Sequence, residues 1–280
     1  MSGLKLFSLT LLAMLAFAGN SLLCRAALLH TSIDPATFTT VRLVAGAMIL
    51  GVIVSMRHSN EGSKGSWLSG FWLFLYAAAF SFAYVGLSAA VGALLLFGVV
   101  QITMIAAGLW RGERLQALQE AGFLSAFGGL VVLLLPGLSA PPWQEAALMI
   151  LAGIAWGMYS LRGQGKGSPV HLTAGNFLKA VPYAVVVSLA FMSSFSVDTA
   201  GLAYAVMSGA LTSGLGYAVW YAVLPALRAT DAAVIQLSVP VIAAVGGVIL
   251  LNEVISVRLV LASTAILGGI ALVITRKRQS

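Results

Sequence analysis

The chain has 280 residues, of which 60% are hydrophobic and only 8% are charged, and its mean hydropathy is +1.01. This composition excludes a water-soluble globular domain and indicates a membrane protein. The net charge of +7 comes from cations in short segments between apolar stretches. Such cations set topology and meet anionic lipid headgroups, so we expect a lipid bilayer as partner and no nucleic acid.

Ten apolar segments follow one another along the chain, and each has about the 20 residues that a helix needs to cross a bilayer. Backbone polar groups in lipid must be satisfied within each segment, so we predict an all-α polytopic protein with ten transmembrane helices. The boundary between the third and fourth helices is placed at 84–88, within a stretch without any charge. The predicted spans are 4–29, 35–56, 67–85, 88–110, 115–135, 144–162, 170–193, 199–222, 231–251 and 256–275.

The Lys and Arg residues are distributed unevenly between the two sides of these spans. With the N-terminus placed in the cytoplasm, eleven of the 15 fall on the inner side, one (Arg258) falls on the outer side, and Arg25, Arg42 and Lys179 fall within spans. This asymmetry predicts an even number of spans. We therefore expect both termini to be cytoplasmic, in a bacterial-type inner (plasma) membrane.

The two halves of the chain resemble each other at an offset of about 140 residues. Residues 97–115 align with 237–255, and the pair Gly128-Gly129 falls on Gly268-Gly269. Each half carries five spans, an odd number, so the second half must cross the membrane in the opposite sense. Such inverted repeats are typical of secondary transporters. We predict repeats at 1–136 and 143–280; duplication without transport is the alternative.

Several of these residues resemble the EamA family of the drug/metabolite transporter superfamily. They are the Trp156-Gly157 pair near the start of the second half and the run from Pro240 to Glu253. More closely, the sequence is similar to the YddG-type aromatic amino acid exporters, over essentially the whole chain. The resemblance implies ten helices, two EamA-like repeats and export of small organic solutes. The first half departs from the pattern, since Val100 and Ala18 occupy the places of the proline and the tryptophan.

Polar side chains within the spans are costly in lipid and are candidates for substrate binding. Arg42 and Lys179 are expected either to attract the carboxylate of an amino acid or to extend to the interface. Asn20, Gln101 and Gln236 are expected either to hydrogen-bond the substrate or to join helices. No buried acid is available to neutralise the two cations, which favours substrate or backbone partners.

Aromatic side chains supply further candidates for a substrate site. Trp156 and Tyr159 lie three residues apart, as do Tyr217 and Trp220, so each pair shares one helix face. Tyr84 stands at the end of the third span, after Phe80 and Phe82. Rings that face a cavity would stack on an aromatic solute or contact its ammonium group. The alternative is the belt of Trp and Tyr at the membrane interface.

Prolines and acids bear on the mechanism. Pro182 and Pro240 lie in the seventh and ninth spans and are hinge candidates, because each proline frees a carbonyl one turn earlier. No Asp or Glu stands at mid-span, so we expect export without a carboxylate proton relay. Glu113 and Glu253 are expected to close their helices, Glu113 by pairing with Arg111 or Arg114 and Glu253 by pairing with Arg258.

Other classes of function fit the sequence less well. No nucleophile, metal-ligand or acid-pair motif is present, so we predict neither an enzyme nor a cofactor or metal site. A channel would be expected to show a charged ring or a carbonyl filter segment, neither of which is visible. A nucleotide-sugar, lipid or drug carrier of the same superfamily remains an alternative, since the amino acid assignment rests chiefly on the resemblance.

Overall fold

The computed structural model describes residues 2–56, 65–112, 114–137, 140–163, 168–227, 232 and 235–276, and the regular structure in these residues is entirely helical. Eight helices are long and apolar enough to cross a membrane, and two further apolar helices are shorter. In chain order they are α1 (Gly3–His30), α2 (Pro35–Met56), α3 (Trp67–Ala83), α4 (Ala89–Trp110), α5 (Ala117–Leu134), α6 (Trp143–Gly163), α7 (Pro169–Ala190), α8 (Thr199–Ala226), α9 (Ser238–Leu251) and α10 (Val257–Arg276).

The prediction of an all-helical membrane protein is confirmed for the described residues. Eight predicted spans coincide with helices of spanning length. The other two, α3 and α9, have 17 and 14 residues, and their passage across the bilayer stays a prediction. The boundary between the third and fourth spans lies where the sequence places it. There α4 begins after Ser88, whose hydroxyl accepts a hydrogen bond from the backbone N–H of Val91.

Contacts between helix ends show that successive helices run in opposite directions, which gives the bundle two ends. The end at which α1 begins, called the N-terminal end, also contains Gly163 and Pro169, and the far end contains His30 and Val85. Hydrogen bonds of side chains near the helix ends join residues that lie at the same end of the bundle. At the N-terminal end, for example, the amide nitrogen of Gln119 at the start of α5 donates to the carbonyl oxygen of Val273 near the end of α10.

Helix contacts in the bundle follow a regular pairing. Helix α5 packs on α10, α2 on α7, and α4 on α9; in addition α1 packs on α8, and α3 on α6. Glycines permit the closest of these approaches. A Cβ atom added at Gly122 of α5 would lie 2.6 Å from the carbonyl oxygen of Gly269 in α10. Helix α4 has the longest buried stretch, because most of its first half lies inside the bundle.

Helix α8 changes its geometry in the middle. Residues Ser208–Leu215 form a π-helix between two α-helical segments, and such wide turns are frequent at functional sites. The widened turn keeps the hydroxyl groups of Ser208, Thr212 and Ser213 buried. Gly209 faces α2 so closely that an added Cβ would overlap the backbone of Arg42. The π-helix therefore brings three hydroxyl groups next to α1 and α2.

Candidate functional site

A cavity of about 510 Å³ lies inside the bundle, lined by residues of α1, α3, α4, α6, α7 and α8 together with Ala232 and Gln236. The lining residues Gly163 and Pro169, at the N-terminal end, are exposed. Asn20 and Phe80, deeper in the bundle, are buried. The cavity thus reaches the surface at the N-terminal end and ends blindly towards the far end.

One wall of the cavity is a cluster of aromatic rings centred on Trp156. Its ring centre lies 4.7 Å from that of Tyr76, 5.3 Å from Tyr159 and 5.4 Å from Tyr217, and the last pair is stacked at an angle of 22°. Phe17 of α1 continues the cluster beyond Tyr217. Four helices contribute to this wall, so an aromatic solute there would contact both halves of the chain.

A buried network of hydrogen bonds connects the cavity wall to α2 and α8. The hydroxyl oxygen of Tyr76 accepts hydrogen bonds from Asn20 Nδ2 at 3.2 Å and from Arg42 Nη2 at 3.1 Å. Asn20 Oδ1 accepts a hydrogen bond from the hydroxyl of Ser208 at 2.7 Å. Arg42 Nε donates to Ser213 Oγ at 3.4 Å. The π-helix of α8 therefore supplies hydroxyl partners for both polar side chains.

The guanidinium of Arg42 is sealed behind this wall. Its side chain is 1% exposed, and its central carbon lies 5.3 Å from the ring centre of Tyr76 and 4.9 Å from that of Phe80. Its Nη1 atom has no hydrogen-bond partner. Among the described residues the structure records one ion pair, and it does not involve Arg42. Ring faces and hydroxyl groups offset only part of the cost of burying this charge.

Seven of the ten residues predicted to bind substrate line the cavity: Asn20, Gln101, Trp156, Tyr159, Tyr217, Trp220 and Gln236. The other three do not. Arg42 lies behind Tyr76, as described above. Tyr84 is fully buried towards the far end, where its ring packs edge-on against Phe80. Lys179 lies in the middle of α7, and its ammonium group donates to the carbonyl oxygen of Gly65 at 2.8 Å, which connects α7 to the segment before α3.

Two members of the aromatic wall, Phe17 and Tyr76, were not predicted as site residues. Phe17 stands three residues before Asn20, and Tyr76 stands four before Phe80, so each shares a helix face with a polar or aromatic residue already singled out. Extending the helical spacing backwards along α1 and α3 would have identified both. The hydroxyl groups of α8 carried no such signal, because an α-helical spacing does not anticipate a π-helix.

The far end is closed by an ion pair between Arg25 and Glu253. Helix α9 ends at Leu251, Asn252 after it adopts the left-handed conformation, and the N–H of Glu253 donates to the carbonyl oxygen of Gly247. This turn brings Glu253 Oε1 to 3.2 Å from Arg25 Nε. Glu253 also accepts the N–H of Ala89 at 2.8 Å, at the start of α4. Arg25 Nη1 donates to the carbonyl oxygens of Tyr84 and Val85, which directly follow α3.

The expected pairing of Glu253 with Arg258 is wrong. Arg258 instead donates to the carbonyl oxygen of Leu135, because the turn after α9 directs Glu253 inward to α1 and α4. Glu113 lies outside the described residues. The two hinge candidates occupy different positions. Pro182 lies inside α7, whereas Pro240 lies in the first turn of α9. Backbone N–H groups in a first turn have no partner within the helix, so a proline there removes no hydrogen bond. Their hinge roles stay predictions.

A bundle of membrane-length helices around an internal cavity is the architecture of a small-molecule transporter. Residues 143–275 match the model of the EamA-like transporter family. An uncharacterized protein of Pseudomonas aeruginosa is 57% identical over 267 residues, which cover 95% of this chain and 93% of that one. An uncharacterized transporter of Archaeoglobus fulgidus is 25% identical over 261 residues, covering 88% and 90%.

A solved crystal structure of a protein that is 18% identical covers 100% of both chains with a TM-score of 0.69, so the two share a fold. Residues 143–275 thus form an EamA-like transporter family domain. The chain is an integral membrane protein, and this family match points to transport of small solutes rather than to catalysis. The family match spans the half that carries Trp156 and Pro240, the residues that the first half replaces with Ala18 and Val100.

Proposed function

We propose that this protein is a secondary transporter that exports aromatic and other neutral amino acids by alternating access. The observation that carries the proposal is one cavity in which an aromatic wall meets a polar network. Its volume of about 510 Å³ falls in the range of small-molecule sites. Trp156 and Tyr217 would hold an aromatic side chain, and Asn20, Gln101 and Gln236 would hydrogen-bond the polar groups of the amino acid.

The pairing of the helices supports two inverted repeats, at 1–136 and 143–280, with α3 and α9 as the remaining two of ten spans. A twofold relation between the repeats would exchange α1 with α6 and α3 with α8. Under this relation the contact between α6 and α3 corresponds to a contact between α1 and α8. Both contacts are present. The pairs α2 with α7, α4 with α9 and α5 with α10 would lie on the axis. Two related halves could rock about the cavity and expose it to either side in turn.

The distribution of cations supports a cytoplasmic position for the N-terminal end of the bundle. In the sequence, Lys and Arg concentrate between the helix ends that lie there, and the positive-inside rule associates such cations with the cytoplasmic side. The opening near Gly163 and Pro169 would then face the cytoplasm. In this orientation, in a bacterial-type inner membrane, the structure would correspond to an inward-facing state that is ready to load an exported solute.

Three acids at the far end have structural partners, which supports export without a carboxylate proton relay. Asp34 accepts the backbone N–H groups of Ala36 and Thr37 at 3.0 and 2.9 Å. Asp198 caps the start of α8, and Glu253 pairs with Arg25. Carboxylates held in this way serve the helix ends, away from the cavity, whereas proton relays use acids along the transport path.

Flux into liposomes that contain the purified protein tests the proposal. Labelled phenylalanine, tryptophan, leucine and a nucleotide sugar are compared with and without an imposed proton gradient. We expect saturable flux of the amino acids that does not depend on the gradient. Flux that requires the gradient would contradict uncoupled transport. Flux of the nucleotide sugar alone would replace the amino acids with the other carriers of the superfamily, and flux without saturation would indicate a channel.

A further inference from the structure

The charge on Arg42 has no counter-ion in the part of the chain that the structure describes. Its polar partners, Tyr76 and Ser213, are neutral, and so is the ring of Phe80 that covers it. One guanidinium nitrogen has no hydrogen-bond partner at all. A buried charge of this kind is costly unless an opposite charge accompanies it. The cavity wall therefore holds a positive charge that an anion in the cavity would stabilise.

The hydroxyl of Tyr76 connects this charge to the cavity. A phenol oxygen accepts at most two hydrogen bonds and donates one. Both acceptor positions are occupied, by Arg42 Nη2 and by Asn20 Nδ2. The O–H proton of Tyr76 is therefore left for an acceptor elsewhere, and Tyr76 lines the cavity. Ser208 holds Asn20 in place through Oδ1, which keeps Nδ2 directed at the phenol.

We propose that Tyr76 binds the carboxylate of the substrate through its hydroxyl, and that Arg42 is a positioning residue behind it. This inference rests on the proposed transport of amino acids through the cavity and adds the group that selects them. A carboxylate at Tyr76 lies next to Trp156, whose ring centre is 4.7 Å from that of Tyr76. The expected substrates are thus molecules that combine an aromatic or apolar group with a carboxylate. Aromatic amines that lack a carboxylate are expected to bind poorly.

The indirect position of Arg42 suits a carrier. A guanidinium that contacts a carboxylate directly forms two strong parallel hydrogen bonds. A neutral hydroxyl backed by that guanidinium binds the same anion more weakly while keeping the preference for negative charge. A transported solute has to be released on the other side of the membrane, so the weaker contact favours turnover.

Equilibrium binding to the purified protein tests the inference with three labelled ligands: tryptophan, tryptamine, which lacks the carboxylate, and indole-3-propionate, which lacks the ammonium group. We expect the two carboxylates to bind more tightly than tryptamine. Tyr76→Phe should weaken both carboxylates about tenfold, as for the loss of one hydrogen bond to a charged group, and leave tryptamine unchanged. Tyr183→Phe is the matched control, because Tyr183 is a tyrosine of α7 that packs against Phe74 and does not line the cavity.

The role of Arg42 is tested by the ratio of the affinities for tryptophan and tryptamine, which does not change if a variant is simply less stable. Arg42→Met should lower this ratio, and Arg42→Lys should keep most of it. Equal loss for all three ligands in Tyr76→Phe, or no loss, would overturn the inference. Wild-type protein that binds tryptophan and tryptamine equally would overturn it and leave the proposed function standing. Binding of indole-3-propionate alone, dependent on Tyr76, would support the inference and contradict amino acids as substrates.

Discussion

Arg25 and Glu253 meet at 3.2 Å at the far end of the bundle although 228 residues separate them in the chain. Their side chains are only 13% and 10% exposed, so solvent screens the pair less than a surface ion pair. Through Ala89 and the carbonyl groups of Tyr84 and Val85, the pair joins α1, the connection between α3 and α4, and the turn after α9. In the proposed alternating access, this contact would break when the cavity opens at the far end.

Weakening this pair should expose the native cysteine. Cys24 is the one cysteine of the chain; it is fully buried on α1, between Asn20 of the cavity and Arg25 of the ion pair. In Glu253→Gln, we expect a membrane-impermeant maleimide to label Cys24 about tenfold faster, since loss of roughly 1.4 kcal/mol shifts the opening equilibrium by that factor. Arg258→Gln is the control at the same end, and equal labelling rates in both variants would refute a closing role for Glu253.

Truncating the central ring should weaken the aromatic substrate specifically. In Trp156→Ala, we expect KM for tryptophan to rise about tenfold, because the cavity loses the ring that contacts Tyr76, Tyr159 and Tyr217. Trp110→Ala is the control, because Trp110 is 94% exposed at the end of α4. The measurement is concentration-dependent flux in liposomes. An unchanged KM in Trp156→Ala would remove this ring from the substrate site.

Substituting alanine at two adjacent glycines of α10 should affect the stability of the protein differently. A Cβ at Gly269 would lie 2.7 Å from the backbone nitrogen of Ala126 in α5, whereas a Cβ at Gly268 meets nothing within 4 Å. Gly269→Ala should destabilise the protein by about 1–3 kcal/mol through overpacking. Gly268→Ala should not destabilise it, since alanine favours the helix. Thermal unfolding in detergent compares the two, and equal melting temperatures would contradict the close contact between α5 and α10.

Lys179 offers a contrast to Arg42. Its ammonium donates to the carbonyl oxygen of Gly65 at the N-terminal end, and it does not line the cavity. We expect Lys179→Met to lower the melting temperature while the ratio of tryptophan to tryptamine affinity stays unchanged. A lowered ratio in this variant would show that the sequence-based assignment of Lys179 to the substrate was right.

The sequence predicted which segments form helices and which polar side chains lie within them, but not where those side chains point. Hydropathy located the spans because a bilayer requires each of them to have about the same length and to satisfy its backbone hydrogen bonds internally, as a helix does. It also showed that Arg42 lies inside a span. Whether its guanidinium enters the cavity or lies behind it depends on Tyr76 and Phe80 of another helix, and spacing along α2 contains no information about them.

Contacts between residues far apart in the sequence were predicted least well. Glu253 was assigned to Arg258 because the two are close in sequence, whereas the turn at Asn252 directs it to Arg25. The π-helix of α8 was equally inaccessible, since its extra residue per turn depends on packing against α2. Both features require the three-dimensional arrangement of the helices, which local pattern does not specify.

Counterflow in liposomes tests the central claim of an amino acid carrier most directly. Vesicles containing the purified protein are loaded with unlabelled tryptophan and diluted into a trace of labelled tryptophan, without any ion gradient. An alternating-access carrier exchanges the two, so we expect the label to accumulate transiently above its equilibrium level and the overshoot to fall in Trp156→Ala. Entry of the label without an overshoot, or no entry at all, would contradict the account.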